Sequence, residues 1–282
     1  MLEFLDSCHQ DRRLYIETFF KIQSRNVESG LTPFVLNKVQ RDYWDTKTQR
    51  DIYLKARQVT VSSIVQADFV SEAMMFPGLN VLILVQKPEE KTKKPHLDRI
   101  KSFYYSVPAD VRPPLENENE SSIVFNFQQK NGPKELSHIY LASAGSLEIG
   151  RGETIHRVHM TEYGSYEKEE AEAMSQMLMG LPQGARIVKE GSPKGMERPF
   201  YQDYQNAVSG IGAFKPHLYP WWMQEEYTAE GEDVDPTAEE GRLLLQGLTQ
   251  GQIRWRRNML RNAASEVGAE RARNVFLQEY LE

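Results

Sequence analysis

The stretch Lys55-Ala56-Arg57-Gln58-Val59-Thr60-Val61-Ser62-Ser63 joins a strand-like segment, Ile52 to Ala56, to a helical pattern that begins at Ser62. A loop that binds phosphate needs a turn whose backbone N–H groups converge on an anion, a cation to neutralise it, and a hydroxyl in the first helical turn to hold Mg²⁺. Set against the spacing GxxxxGK[ST], the hydroxyl falls on Ser62, Val61 occupies the usual lysine place, Thr60 the second glycine and Lys55 the first. A basic residue can reach phosphate from the start of such a loop, so Lys55 and Arg57 can supply the charge that Val61 lacks. The competing reading is an ordinary strand-to-helix turn with two exposed basic residues.

Farther along, Ile155 to Glu162 alternates like a strand and ends in a carboxylate, where an ATPase needs a group to orient the attacking water. Thr161 stands where an aspartate often assists Mg²⁺. His156 and His159 are three apart on that strand and point to opposite faces, which suits packing or surface histidines better than a metal pair. A third segment, Ala185 to Glu190, runs into the polar turn Glu190-Gly191-Ser192-Pro193-Lys194-Gly195. Three parallel strands with polar ends at one sheet edge form the place where α/β folds bind ligands.

The elements that must position these residues follow from periodicity. From Asp51 onward short apolar runs alternate with helical patterns, and the near-continuous Val/Ile/Leu runs predict βαβ units around a buried parallel sheet of at least five strands. The Pro-rich acidic stretch 108–120 reads as a surface loop, and Asn131-Gly132-Pro133 as a turn between two strands. Helices are expected over Glu167 to Leu181 and, after an acidic irregular connection, over Ala238 to Ala264. Trp221 and Trp222 read as core or lid packing.

At 282 residues, with 40% hydrophobic and 26% charged side chains, the chain can bury a sizeable core and does not have a disordered composition. Its 34 basic and 40 acidic residues leave a net charge of −6, which argues against a general cationic coat for nucleic acid but permits a local basic strip. The single Cys8 cannot form an internal disulfide, which fits a reducing compartment. The apolar run around Val81 to Val85 is too short to span a membrane, and the acidic start MLEFLDSCHQDRR does not read as an export signal.

The order of TPFVLNKVQ, KARQVTVSS, RGETIHRVHMTEY, VKEGSPKG and QGLTQGQIRWRRNML resembles the ATPase half of the large terminase subunit of tailed bacteriophages, the motor that drives DNA into a procapsid. The resemblance covers residues 30 to 282 or so. It implies an α/β P-loop NTPase of the RecA-like class, with a central, mostly parallel sheet flanked by helices. The implied layout is an N-terminal helical arm (1–30), an ATPase core (31–222) and a C-terminal helical lid (223–282) leading toward a nuclease domain. It further implies ATP and Mg²⁺ as cofactors. Lys55, Arg57, Gln58, Thr60, Ser62 and Ser63 would form the phosphate loop, with Ser62 and Thr161 at the metal and Gln40 at adenine. Glu162 would be the catalytic carboxylate, Arg151 an arginine finger acting across subunits, and Glu190 and Ser192 the coupling residues. The implied partners are double-stranded DNA, a portal protein, a small terminase subunit and further copies in a ring, in the host cytoplasm without a membrane. Thr60 departs from the family's glycine, which implies a weakened loop, and FLQEYLE resembles the entry to the nuclease domain. Arg254, Arg256 and Arg257 lie in a locally basic stretch that reads as a DNA contact, as an inter-subunit or inter-domain surface, or as an ordinary solvated or packed helix. The alternatives are a helicase-like or remodelling ATPase on the same core, and a nucleotide-binding assembly module whose motor has decayed.

Overall fold

The computed structural model describes residues 2–24, 30–86, 90–128, 132–144 and 152–281. Two short helices open the chain, α1 (Leu2–Gln10) and α2 (Arg12–Phe19), the second capped by Asp11, whose side chain accepts from the Arg13 N–H. Strands β1 (Lys21–Gln23) and β2 (Leu31–Pro33) pair antiparallel. Then follow α3 (Lys38–Thr46), β3 (Arg50–Lys55), α4 (Val61–Met75), β4 (Asn80–Val85) and α5 (Glu90–Ser106). The middle of the chain forms β5 (Leu115–Glu118), β6 (Ser122–Asn126), β7 (Leu136–Ser143), β8 (Arg157–Met160), α6 (Lys168–Met179), β9 (Arg186–Gly191), α7 (Pro199–Val208) and β10 (Lys215–Tyr219). Helices α8 (Ala238–Leu245), α9 (Gln250–Val267) and α10 (Ala269–Glu279) complete it.

The main sheet has eight strands in the order β10-β3-β9-β8-β4-β7-β6-β5, parallel from β10 to β7 and antiparallel over β6 and β5. Alternate residues of β4 enter different cores: Val81 and Ile83 join one with α2, α3, α4 and α5, while Leu82 and Leu84 join another with α6 and α7. Cover on both faces is why this strand is apolar throughout.

Some sequence expectations change. Residues 115–118, read as loop, form an edge strand, and β10 is an edge strand that tolerates Pro216 because its outer side needs no ladder donor. The helix expected over 238–264 is broken at Gln246–Thr249, where Thr249 and Gln252 form a capping box that starts α9. The arm is not separate from the core either. Tyr15, Ile16 and Phe20 are buried in the same cluster as α4, and Phe20 stacks on Phe103 of α5.

Helix α4 is buried almost all round, yet it carries Asp68 in its middle. That carboxylate accepts from Arg12 (2.6 Å), Tyr43 (2.8 Å), Lys47 (2.9 Å) and Arg186 (3.0 Å). Burial alone would raise its carboxyl, but Arg186, Lys47 and Arg12 hold it well below the usual range. Thus α2, α3 and the start of β9 are pinned to the helix whose first turn faces the candidate site.

Candidate active site

Strand β9 lies between β3 and β8, so the three polar strand ends are adjacent. At their C-terminal edge opens a cleft of about 1210 Å³ lined by Lys55, Arg57, Gln58, Thr60, Ser62, Ser63, Glu162 and Ser192 among others. Lys55, at the end of β3, is buried and donates to Glu162 Oε1 at 3.1 Å, while its Nζ lies 3.3 Å from Glu190 Oε2. Burial would lower the ammonium's pKa, but Glu190 and Glu162 raise it above the ordinary lysine value. Val61, in the usual lysine place, is packed in the core, so the strand-end lysine is the one that reaches the carboxylates.

Glu190 and Glu162 differ in setting. Glu190 is fully buried, accepts from Ser62 Oγ at 2.6 Å and has His159 Nε2 3.3 Å away. Burial would raise its carboxyl, yet Lys55, His159 and Ser62 hold it below the usual carboxylate range. The Glu162 side chain is 50% exposed and faces the cleft. Its backbone is left-handed, φ 50° and ψ 37°, which turns the chain sharply just after β8. Thr161, expected at the metal, is buried and does not line the cleft.

The loop itself turns through two left-handed residues, Gln58 and Thr60, both at φ 57°. The Thr60 hydroxyl accepts from Asn37 Nδ2 at 2.9 Å and does not cap α4, so the first turn of this 15-residue helix has no side-chain cap. Such an N-terminus favours an anion. Gln40, expected at adenine, is buried with its carboxamide turned elsewhere: Oε1 accepts from the Asn37 N–H at 3.0 Å and Nε2 donates to the Thr60 carbonyl at 3.5 Å. Asn37 and Gln40 together brace the loop before α4: they form a capping box at the start of α3, and both also hold Thr60.

The turns after β8 and β9 meet through two glycines. A methyl group on Gly164 would run into the Ser192 carbonyl, and one on Gly191 would come within 2.5 Å of the Gly164 nitrogen. Only backbone without Cβ lets the turns after β8 and β9 touch.

The C-terminal helices close over the loop. The Arg57 N–H donates to the Glu279 carbonyl at 2.6 Å, Lys194 Nζ to Glu279 Oε1 at 2.9 Å, and Tyr227 OH to the Arg57 carbonyl at 3.0 Å. Tyr227, Trp255 and Trp221 form a stack beside them, and Trp222 packs edge-on against Trp221, which is the packing expected of Trp221 and Trp222. The basic stretch is committed internally: Arg254 bonds the Ala229 and Glu232 carbonyls and meets Asp233, Arg256 is buried and donates to Glu239, and Arg257 makes a two-pronged pair with Glu240. The three arginines are thus paired within the chain, Arg254 with Asp233 of the acidic connection and Arg256 and Arg257 with Glu239 and Glu240 of α8. Arg151 lies outside the described residues.

These residues suit a triphosphate with Mg²⁺. The uncapped helix N-terminus, Lys55 and the cleft would accommodate the phosphates, and the Ser62 hydroxyl, which lines the cleft and is oriented by Glu190, would offer an oxygen donor to a hard cation. Among the described residues no helix is long and apolar enough to cross a membrane.

No protein-family model matches the chain, and no curated protein does. Among solved structures it is similar to the large terminase ATPase domain of Thermus phage P74-26, with a TM-score of 0.60 and 15% identity over 88% of this chain and 93% of that one. It is also similar to the large terminase of the thermophilic bacteriophage D6E, with a TM-score of 0.50 and 11% identity over 66% of this chain, which spans 46% of that protein. The fold of this chain is that of the ATPase domain of a phage large terminase.

Proposed function

We propose that this chain is a Mg²⁺-dependent ATPase, the motor domain of a large terminase that moves double-stranded DNA into a procapsid. The observation that carries the reading is Lys55, held between Glu162 and Glu190 at the mouth of the cleft that Ser62 and the N-terminus of α4 share. Glu162, with its half-exposed carboxylate in the cleft, orients the water that attacks the γ-phosphorus. Glu190 is too deeply buried for that task; it holds Lys55 and Ser62 in register. Ser62 would hold Mg²⁺, with its hydroxyl oriented by Glu190 behind it, and the ion when bound neutralises charge on the phosphoryl oxygens. Because Glu190 and Ser192 end the strand between the phosphate loop and the catalytic turn, a shift at Ser62 is passed to β9, which makes them the coupling pair. Portal protein, small subunit and a ring of copies in the host cytoplasm complete the proposed setting.

The test is Glu162→Gln, which keeps shape but cannot polarise water. Steady-state ATP turnover is expected to fall by about two to four orders of magnitude while nucleotide binding, followed by calorimetry, is retained. Turnover within about tenfold of the parent would remove Glu162 from this role.

A further inference from the structure

Among the described residues four cations line the cleft: Lys55, Arg57, Arg99 and Lys194. Three of them face carboxylates. Lys55 sits between Glu162 and Glu190, Lys194 donates to Glu279, and Arg57 lies 3.8 Å from Glu279. Arg99, on α5, has no carboxylate at ion-pair distance among the described residues. Its partner there is neutral, the Gln66 carboxamide, whose Oε1 accepts from Nη1 at 3.0 Å.

That carboxamide is well fixed. Gln66 is fully buried on α4, one turn after Ser62 and on the same face. Its Nε2 donates to His96 Nδ1 at 2.6 Å, and His96 stands one turn before Arg99 on α5. Burial, and then the Arg99 charge, push His96 down to about 3, so it stays neutral beside the guanidinium. Burial lowers Arg99 as well, and the field of Glu190 partly offsets this. Arg99 lines the cleft together with Ser62 and Glu162, and through Gln66 it is tied to α4 one turn after Ser62.

A guanidinium carries five N–H donors in a fork suited to phosphate, and Gln66 occupies one. A desolvated cation without a counter-ion is costly. The charge of Lys55 is already offset by two carboxylates, and Arg57 and Lys194 share Glu279, so among the described residues Arg99 is the cleft cation that a terminal phosphate beside the proposed Mg²⁺ would meet with no carboxylate already paired to it.

We infer that Arg99 is a catalytic residue that contacts the γ-phosphoryl oxygens from within the same chain, with Gln66 and His96 as its positioning residues. This rests on the reading of the cleft as an ATP site.

The experiment is calorimetric titration of AMP-PNP and of ADP, each with Mg²⁺, into the full chain, Arg99→Gln and Arg99→Lys, with thermal unfolding alongside. Arg99→Gln is expected to lose about tenfold or more in AMP-PNP affinity and to bind ADP within about twofold of the parent. Arg99→Lys, which keeps the charge but not the fork, should fall between them, and it carries the test if the glutamine variant does not fold. Equal losses for both nucleotides, or no loss for either in a folded variant, would overturn the inference and leave the ATP reading intact. A parent that binds neither nucleotide would overturn both.

Discussion

Thr60 stands under two opposing demands. Its left-handed backbone costs a β-branched residue roughly 1–2 kcal/mol, and its hydroxyl recovers part of this through Asn37. Glycine at this position would lose the strain and the hydrogen bond together, so Thr60→Gly is expected to change unfolding free energy by less than about 1 kcal/mol. Thr60→Val keeps the strain and strands the Asn37 amide, and should destabilise by about 1–3 kcal/mol. Chemical denaturation of the two variants separates these outcomes; a costly glycine with a neutral valine would contradict the assignment. Gly164→Ala belongs to the same scale. Its methyl meets the fixed Ser192 carbonyl rather than a flexible side chain, so a loss of about 1–3 kcal/mol should accompany slower ATP turnover.

At the scale of elements, α4 is held by charge as well as by apolar packing. Removing the Asp68 charge leaves Arg12, Lys47 and Arg186 facing one another in a buried site, so Asp68→Asn should cost about 3–5 kcal/mol at neutral pH. The folded carboxyl lies below its unfolded value, so this stabilisation is fully present above the ordinary carboxylate range and fades as pH falls through the folded value. Urea denaturation should therefore show a parent–variant gap that is constant from pH 7 to about 5 and shrinks below about 4. A gap that narrowed between pH 7 and 5 would mean that another group is responsible. The periodicity of α4 and the apolar run of β4 were legible in the sequence because burial is written along each element. The counter-ions of Asp68 come from three other elements, and no local pattern announces them.

In the whole molecule, the C-terminal helices reach back to the loop before α4 through Glu279, and the segment that precedes them does so through Tyr227. Glu279 places a carboxylate in the cleft opposite Arg57 and Lys194, so Glu279→Gln should tighten Mg²⁺-AMP-PNP by about three- to tenfold, since an anionic ligand no longer competes with a like charge. Titration at low and high salt checks this, because the gain should shrink as salt screens the charge; weaker binding would show that Glu279 instead holds the loop open for nucleotide. The strand–helix alternation and the polar strand ends at Lys55, Glu162 and Glu190 were legible in the sequence, because residue period and a polar residue at a strand end are local signals. The order of the sheet was not: β9 separates β3 from β8, and this brings Glu190 between Lys55 and Ser62. Tertiary packing likewise turned Gln40 and Thr60 toward Asn37, paired Arg254 with Asp233 and Arg256 and Arg257 with Glu239 and Glu240 of α8, and set Arg99 against Gln66. Each of these depends on which distant segments become neighbours when the sheet closes, and that is settled by packing rather than by any single stretch of chain.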